Sequence, residues 1–294
     1  MSRPTFVLVP GAGATSFSWV PVVRELALRG HRALPVELPG HGFDAVFPTG
    51  FGCPQDREAL AAARSPLAEL TLDDYAAHTL ELVRRAAEHG PVVLVGHSLG
   101  GNTVTRVANA APEALARIVY LCAYCCVELP NAPSYAPAPA EADEVLTRAR
   151  ALLWIGDPTS TGATRIDTRT ADPQVLEAAH ELLAADLDAQ LAPAVLNYAL
   201  QPDESLRVVI ADARVDVNAW GRLPRTYIRA TADRVIPLAI QDRMIAEADA
   251  ASPTHRFDVR TLDTGHLAPI TRPADIADIL AGECTEVRPG PGCG

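Results

Sequence analysis

Residues 96–100 read Gly96-His97-Ser98-Leu99-Gly100, a serine flanked at two positions on either side by glycine. Such spacing suits a sharp turn between a strand and a helix, in which the missing side chains let the chain fold tightly and the serine hydroxyl is pushed into a cleft. The helix that follows offers free N–H groups and the positive end of its dipole to a developing oxyanion. A serine hydroxyl is a weak nucleophile at neutral pH, so it needs a base, and the base needs an orienting acid. Downstream, Asp233 stands in Thr231-Ala232-Asp233-Arg234-Val235-Ile236-Pro237, and His266 in Asp263-Thr264-Gly265-His266-Leu267. Ser98, Asp233 and His266 thus occur in the chain order required for acyl transfer on an open α/β sheet. Asp263 shares a turn with His266 and reads as a surface or supporting acid, and Asp212 and Asp216 fall ahead of the strand that precedes Asp233. His97 is expected to point away from the line of attack, and His41 to have a structural role in its turn. The segment Pro10-Gly11-Ala12-Gly13-Ala14 has side chains small enough for its backbone to approach a substrate oxygen. The N–H groups of Ala12 and Leu99 are the candidate oxyanion pair.

The elements that would position these residues follow from periodicity. Phe6–Val9, Arg32–Leu38, Val92–Val95, Ile118–Ala123, Thr226–Ala230 and Phe257–Leu262 read as short strands, the first three ended by Pro or Gly. Helical patterns lie between them, including 20–29, 71–89 with Thr71 as N-cap, 99–110, 239–248 and 274–280. Alternating strands and helices predict an α/β fold with a mostly parallel, doubly wound sheet. Residues 43–70 form a mixed insertion with a short helix near 56–64. Residues 124–222 break the alternation, carry helical stretches at 141–154, 173–187 and 188–200, and are expected to form a helical lid. The expected core is therefore 1–123 plus 223–283. The tail 284–294, Gly- and Pro-rich, is expected to be disordered.

Composition removes other chemistries. The 25 Lys plus Arg residues are all arginine. With no lysine the chain cannot anchor PLP, form a Schiff base, bind phosphate through a Walker lysine or use a Ser-x-x-Lys nucleophile. A net charge of −11 disfavours nucleic acid as a partner. The longest apolar run, Ile118 to Val127, has ten residues, short of the ~18 a membrane span needs. The six cysteines read as thiols rather than a disulfide framework, and the isolated Cys122-x-x-Cys125 lacks the neighbours of a zinc site. No cofactor or metal is expected. The expected partner is a small-molecule ester, the expected state a monomer or homodimer, and the expected location the cytoplasm. The Ala/Arg-rich, lysine-free composition fits a bacterial, GC-rich genome and a role in secondary metabolism.

Over residues 5–282 the chain resembles the α/β-hydrolase superfamily. The matching stretches are Val7-Leu8-Val9-Pro10-Gly11-Ala12, Leu38-Pro39-Gly40-His41-Gly42, Val95 to Gly101, Asp233 to Pro237, and Gly265-His266. Within it the chain is most similar to the branch of plant-type methylesterases and hydroxynitrile lyases and to related bacterial hydrolases. The resemblance implies a triad of Ser98, Asp233 and His266 with oxyanion donors on Leu99 and Ala12. Two departures bear on activity. The superfamily's usual His-Gly at the oxyanion loop is Pro10-Gly11 here. The lyases of this branch have a lysine directly after the triad histidine and a threonine at the position of Gly11; this chain has Leu267 and Gly11. Ester hydrolysis is therefore the expected reaction. Two other uses of the framework stay open: a cofactor-free lyase or cyclase, and a small-molecule receptor. The larger lid residues Tyr124, Cys125, Cys126, Tyr135, Trp154 and Tyr198 are candidates to line a mainly apolar substrate pocket.

Overall fold

The computed structural model describes residues 3–136 and 143–283. The expected disordered tail, with Cys284 and Cys293, lies outside the described residues. Six strands form one parallel sheet: β1 (Thr5–Val9), β2 (Arg32–Pro35), β3 (Val92–His97), β4 (Arg117–Leu121), β7 (Arg225–Ala230) and β8 (Asp258–Leu262). Their spatial order is β2-β1-β3-β4-β7-β8. Two further strands, β5 (Ala163–Arg165) and β6 (Asp203–Ser205), pair antiparallel in the region inserted between β4 and β7.

Successive strand residues point to opposite faces, which is why the sheet needs cover on both sides. Val7, Val9, Leu94, Ile118 and Tyr120 pack on one face against helices Leu72–Ala87, Gly100–Ala110 and Leu238–Ala251. Phe6, Leu8, Val93, Val95, Val119 and Leu121 pack on the other against helices Val20–Leu28 and Pro273–Glu283. The central strands β1, β3 and β4 are buried throughout, which accounts for their nearly continuous apolar sequence.

Several boundaries differ from the sequence expectation. β2 stops at Pro35 rather than Leu38: beyond it the chain turns so that the Glu37 carboxylate accepts from Ser16 N and Ser16 Oγ, at 3.1 and 2.6 Å. β4 stops at Leu121 rather than Ala123, because Cys122 adopts φ 34° and positive φ takes a non-glycine residue out of a strand. The inserted region is only partly helical. Helices Glu144–Leu153, Pro173–Leu183 and Ala192–Ala199 are shorter than the patterns suggested, and β5 and β6 were not foreseen, since three-residue strands carry too little periodicity to read.

A buried ion pair braces the insertion internally, and the same arginine ties it to the 57–63 segment. The guanidinium of Arg165 in β5 grips Asp203 in β6 through two hydrogen bonds, at 2.5 and 2.7 Å, and also donates to the carbonyls of Leu60 and Ala63. Both side chains are almost fully buried, where only paired charges are tolerated.

Helix Leu72–Ala87, which flanks β1 and β3, begins with a capping box: Thr71 Oγ1 accepts from Asp74 N, and Asp74 returns the bond to Thr71 N. Thr71→Ala should lower stability by about 1 kcal/mol. The check is chemical denaturation, with the midpoint falling, the slope unchanged and the active-site geometry untouched.

Candidate active site

Three loops at the carboxyl ends of parallel strands meet above the sheet, the location favoured for sites in open α/β folds. β3 delivers Ser98, β7 delivers Asp233 and β8 delivers His266. Ser98 sits at φ 54° in the tight passage from β3 into helix Gly100–Ala110. A Cβ at Gly96 would stand 2.8 Å from Gly100 O, and one at Gly11 would stand 2.8 Å from Ser98 Cβ. Both glycines are required by close approach of backbone to neighbouring atoms.

The three side chains form an unbroken relay. Ser98 Oγ lies 2.9 Å from His266 Nε2, and His266 Nδ1 lies 2.8 Å from Asp233 Oδ2. The second carboxylate oxygen of Asp233 accepts from Val235 N and Ile236 N at 2.8 and 2.9 Å. That fixes the acid, which in turn fixes the imidazole with Nδ1 as donor and Nε2 free to accept the serine proton. All three residues are buried.

The backbone of the histidine loop is fixed as well. His97 Nε2–H donates to His266 O at 2.8 Å, and the Cys122 thiol approaches the same carbonyl at 3.7 Å. Burial, with His266 as a secondary cause, pushes His97 down to about 3, so it is a neutral donor and not a competing base. From the inserted region, Asp186 accepts from Thr264 Oγ1 and Gly265 N at 2.6 and 3.1 Å. Nothing in the sequence pointed to Asp186, which is 78 residues from Thr264.

His97, Cys122 and His266 also bring three metal-ligating atoms within 4.8 Å of one another. His97 Nε2 and Cys122 Sγ address the His266 carbonyl, and His266 spends both nitrogens on the triad. The donor set is that of a triad and its support.

The serine opens into a cavity of about 500 Å³. Its walls are chiefly apolar, with Ile166, Leu183, Leu200, Val235, Leu267 and Ile270 prominent. Ala12 and Leu99 both line it beside Ser98. Among the described residues neither of their backbone N–H groups meets a protein acceptor. Tyr124 and Trp154 lie in the wall as expected from sequence. Tyr198 does not, being 77% exposed on the outer surface of its helix. Cys125 is also displaced: it is buried in the core under the sheet face with its N–H on Met244 Sδ. Cys126 and Tyr135 are likewise core residues. A one-residue step along an irregular segment, from Tyr124 to Cys125, decides which side chain faces the cavity, and no periodicity in the sequence marks it. Arg150 is the guanidinium that reaches the wall among the described residues, whereas Arg234 turns outward onto Glu181 O.

Two outcomes test this geometry. Gly96→Ala should remove nearly all reactivity of Ser98 toward a fluorophosphonate label, because the added methyl forces the turn open. The His97 assignment gives a pH dependence of stability. A group whose pKa is lowered on folding contributes stability above its unfolded value of 6.5, and that stability is lost as pH falls, since the unfolded chain takes up a proton the native one refuses. At pH 5 the loss amounts to about 2 kcal/mol. His97→Gln keeps a side-chain N–H but cannot titrate, so its melting temperature should decline less between pH 7 and pH 5 than that of the wild type.

Comparison with known proteins agrees with the geometry. A sequence profile of the Alpha/beta hydrolase family matches residues 6–279. The chain is 25% identical to the pyrethroid hydrolase of Sphingobium wenxiniae over 285 residues, covering 96% of this chain and 88% of that one. It is 25% identical to salicylic acid-binding protein 2 of Nicotiana tabacum over 283 residues, covering 94% and 95%. Matches to plant methylesterases are more local: methylesterase 18 of Arabidopsis thaliana is 28% identical over 123 residues, 42% of this chain and 40% of that protein. The chain spans between 29% and 40% of the length of the plant esterases and methylesterases it matches. Among solved structures, a pyrethroid hydrolase from Sphingobium faniae superposes with a TM-score of 0.69 at 22% identity, covering 96% of this chain and 97% of that one. Methylesterase MES16 from Arabidopsis gives a TM-score of 0.65 at 18% identity, with 96% and 99% covered. The parallel sheet, the serine turn and the profile match over nearly the whole length converge: the chain belongs to the alpha/beta hydrolase family.

Proposed function

We propose that the protein is a serine carboxylesterase acting on a small to medium, mainly apolar ester. The observation that carries this reading is the Ser98–His266–Asp233 relay, at 2.9 and 2.8 Å, on the floor of an apolar cavity of about 500 Å³. His266 Nε2 takes the hydroxyl proton as Ser98 Oγ attacks the ester carbonyl. The N–H groups of Ala12 and Leu99 receive the oxyanion, and the tetrahedral intermediate collapses to an acyl-serine as His266 protonates the leaving alkoxide. The same imidazole then deprotonates a water that releases the acid. Asp233 holds the required tautomer and balances the imidazolium charge.

The wall supports the substrate class. A mostly aliphatic lining with few polar groups binds by burying apolar surface and orients through those few. Tyr124 and Trp154 supply aromatic contact. Leu267 takes the place after the histidine where the related lyases have lysine, and its buried aliphatic side chain offers nothing to stabilise a departing anion. Among the proteins to which the chain is similar, one is a hydrolase and another a methylesterase by name, which agrees with this assignment.

In this reading the enzyme works as a monomer or homodimer in the cytoplasm and needs no metal or organic cofactor. Unpaired thiols at Cys53, Cys122, Cys125 and Cys126 support a reducing compartment. The net charge of −11 supports a neutral small molecule as partner rather than nucleic acid. No helix among the described residues is long and apolar enough to cross a membrane.

Ser98→Ala should abolish turnover of small aryl esters and covalent labelling by a fluorophosphonate. Full labelling of that variant would overturn the assignment. Asp233→Asn should lower kcat by about 10⁴-fold while the protein still binds substrate, measured by steady-state kinetics on p-nitrophenyl acetate.

A further inference from the structure

An oxyanion donor works only if its peptide is held at a fixed orientation before charge develops. In this protein, peptides of the Gly11–Thr15 turn are tied to the inserted region. Gly13, in the left-handed region at φ 59°, accepts through its carbonyl from Gln201 N at 2.7 Å. Its N–H donates to Glu204 Oε2 at 3.0 Å. Ala14 bridges Leu200, and Thr15 N donates to Ala199 O at 2.9 Å.

Glu204 is buried, at 3% exposure, and every direction around its carboxylate is used. Oε1 accepts from Tyr75 OH at 2.9 Å and from Ser205 N at 3.0 Å. Oε2 accepts from Gly13 N and faces His41 Nε2 at 3.6 Å. His41 is itself fully buried and donates through Nδ1–H to Pro39 O at 3.1 Å, so its other nitrogen is aimed at the carboxylate. Burial opposes a charge on His41, yet the carboxylate of Glu204 overcomes it and raises its pKa, and Glu204 is held ionised despite its own burial. The charge of the glutamate is thereby balanced, and it does not stand bare next to a developing oxyanion. Strand β6, which carries Glu204, is clamped by Arg165 on Asp203.

We propose that Glu204, carried by the inserted region, is the positioning residue of the oxyanion turn, acting through Gly13 to hold the Ala12 N–H on the substrate oxygen. The proposal rests on the esterase reading above. Glu204 borders the cavity, but with both oxygens engaged by the protein it takes no proton from substrate or water. Its contribution is felt when the carbonyl oxygen gains charge, so its loss lowers kcat and leaves KM nearly unchanged.

The experiment is steady-state hydrolysis of p-nitrophenyl acetate by wild type, Glu204→Ala and Glu204→Gln, with cooperative melting confirmed for each. Glu204→Ala should lose about 100-fold in kcat, the scale of one misplaced oxyanion donor, with KM within about threefold. Glu204→Gln keeps an acceptor oxygen for Gly13 N–H and should recover to between about threefold and tenfold below wild type, again at unchanged KM. A folded Glu204→Ala with wild-type kcat, or one whose loss lies in KM alone, overturns the proposal. If Glu204→Ala does not fold, Glu204→Gln carries the test, and wild-type kcat in that variant overturns it. A wild-type protein inert both to this ester and to a fluorophosphonate would instead overturn the esterase reading, and the proposal with it.

Discussion

Ser98 occupies left-handed backbone, with φ 54°, a conformation that costs an L-residue roughly 1–2 kcal/mol and persists only where the surroundings over-determine it. Most of the architecture near the site can be understood as that over-determination. β3 delivers the residue at its carboxyl end, in the middle of the sheet. Ser98 N donates to Leu121 O and Ser98 O accepts from Tyr124 N and Gly101 N, so β4 and the helix both grip the same peptide units. Gly96, Gly100 and Gly11 leave room for backbone where any side chain would collide. The result of the strained backbone at Ser98 is a hydroxyl presented to a base from a fixed direction.

The inserted region does more than roof the cavity. Asp186 fixes the loop that carries His266, and the 199–205 segment fixes the turn that carries Ala12. Of the four segments that carry Ser98, Asp233, His266 and Ala12, these two are thus held from above as well as from the sheet. Such bonds join segments far apart in sequence, so ordering the lid and ordering the catalytic geometry are one event. The buried Arg165–Asp203 pair matters for the same reason: it costs desolvation, but it fixes the short ribbon from which Glu204 reaches the turn.

Electrostatics around the triad follow burial. His97 is forced neutral and so donates a hydrogen bond without adding a positive charge beside His266. Cys122, buried under the same carbonyl, has its thiol raised well above the usual range by burial and then by Asp233, and stays protonated. The residues closest to the relay therefore carry no charge of their own, which leaves Asp233 as the counter-charge to a protonated His266.

Much of this protein was legible in its sequence. Gly96-His97-Ser98-Leu99-Gly100, the apolar four- to six-residue strands and the order Ser98, Asp233, His266 specify local geometry and chain order, and these depend on steric and periodic rules that act over a few residues. Thr71 as a helix start is of the same kind. The sequence alone could not place the lid residues. Tyr124 and Trp154 reach the cavity while Cys125 enters the core and Tyr198 faces outward, because side-chain direction in an irregular segment is set by packing against distant elements and not by neighbours in the chain. For Glu204 and Asp186 the reason is sharper still. Their partners Tyr75 and Thr264 lie 129 and 78 residues away in the chain, and for Glu204 burial is what converts an ordinary charge into a fixed, directional one.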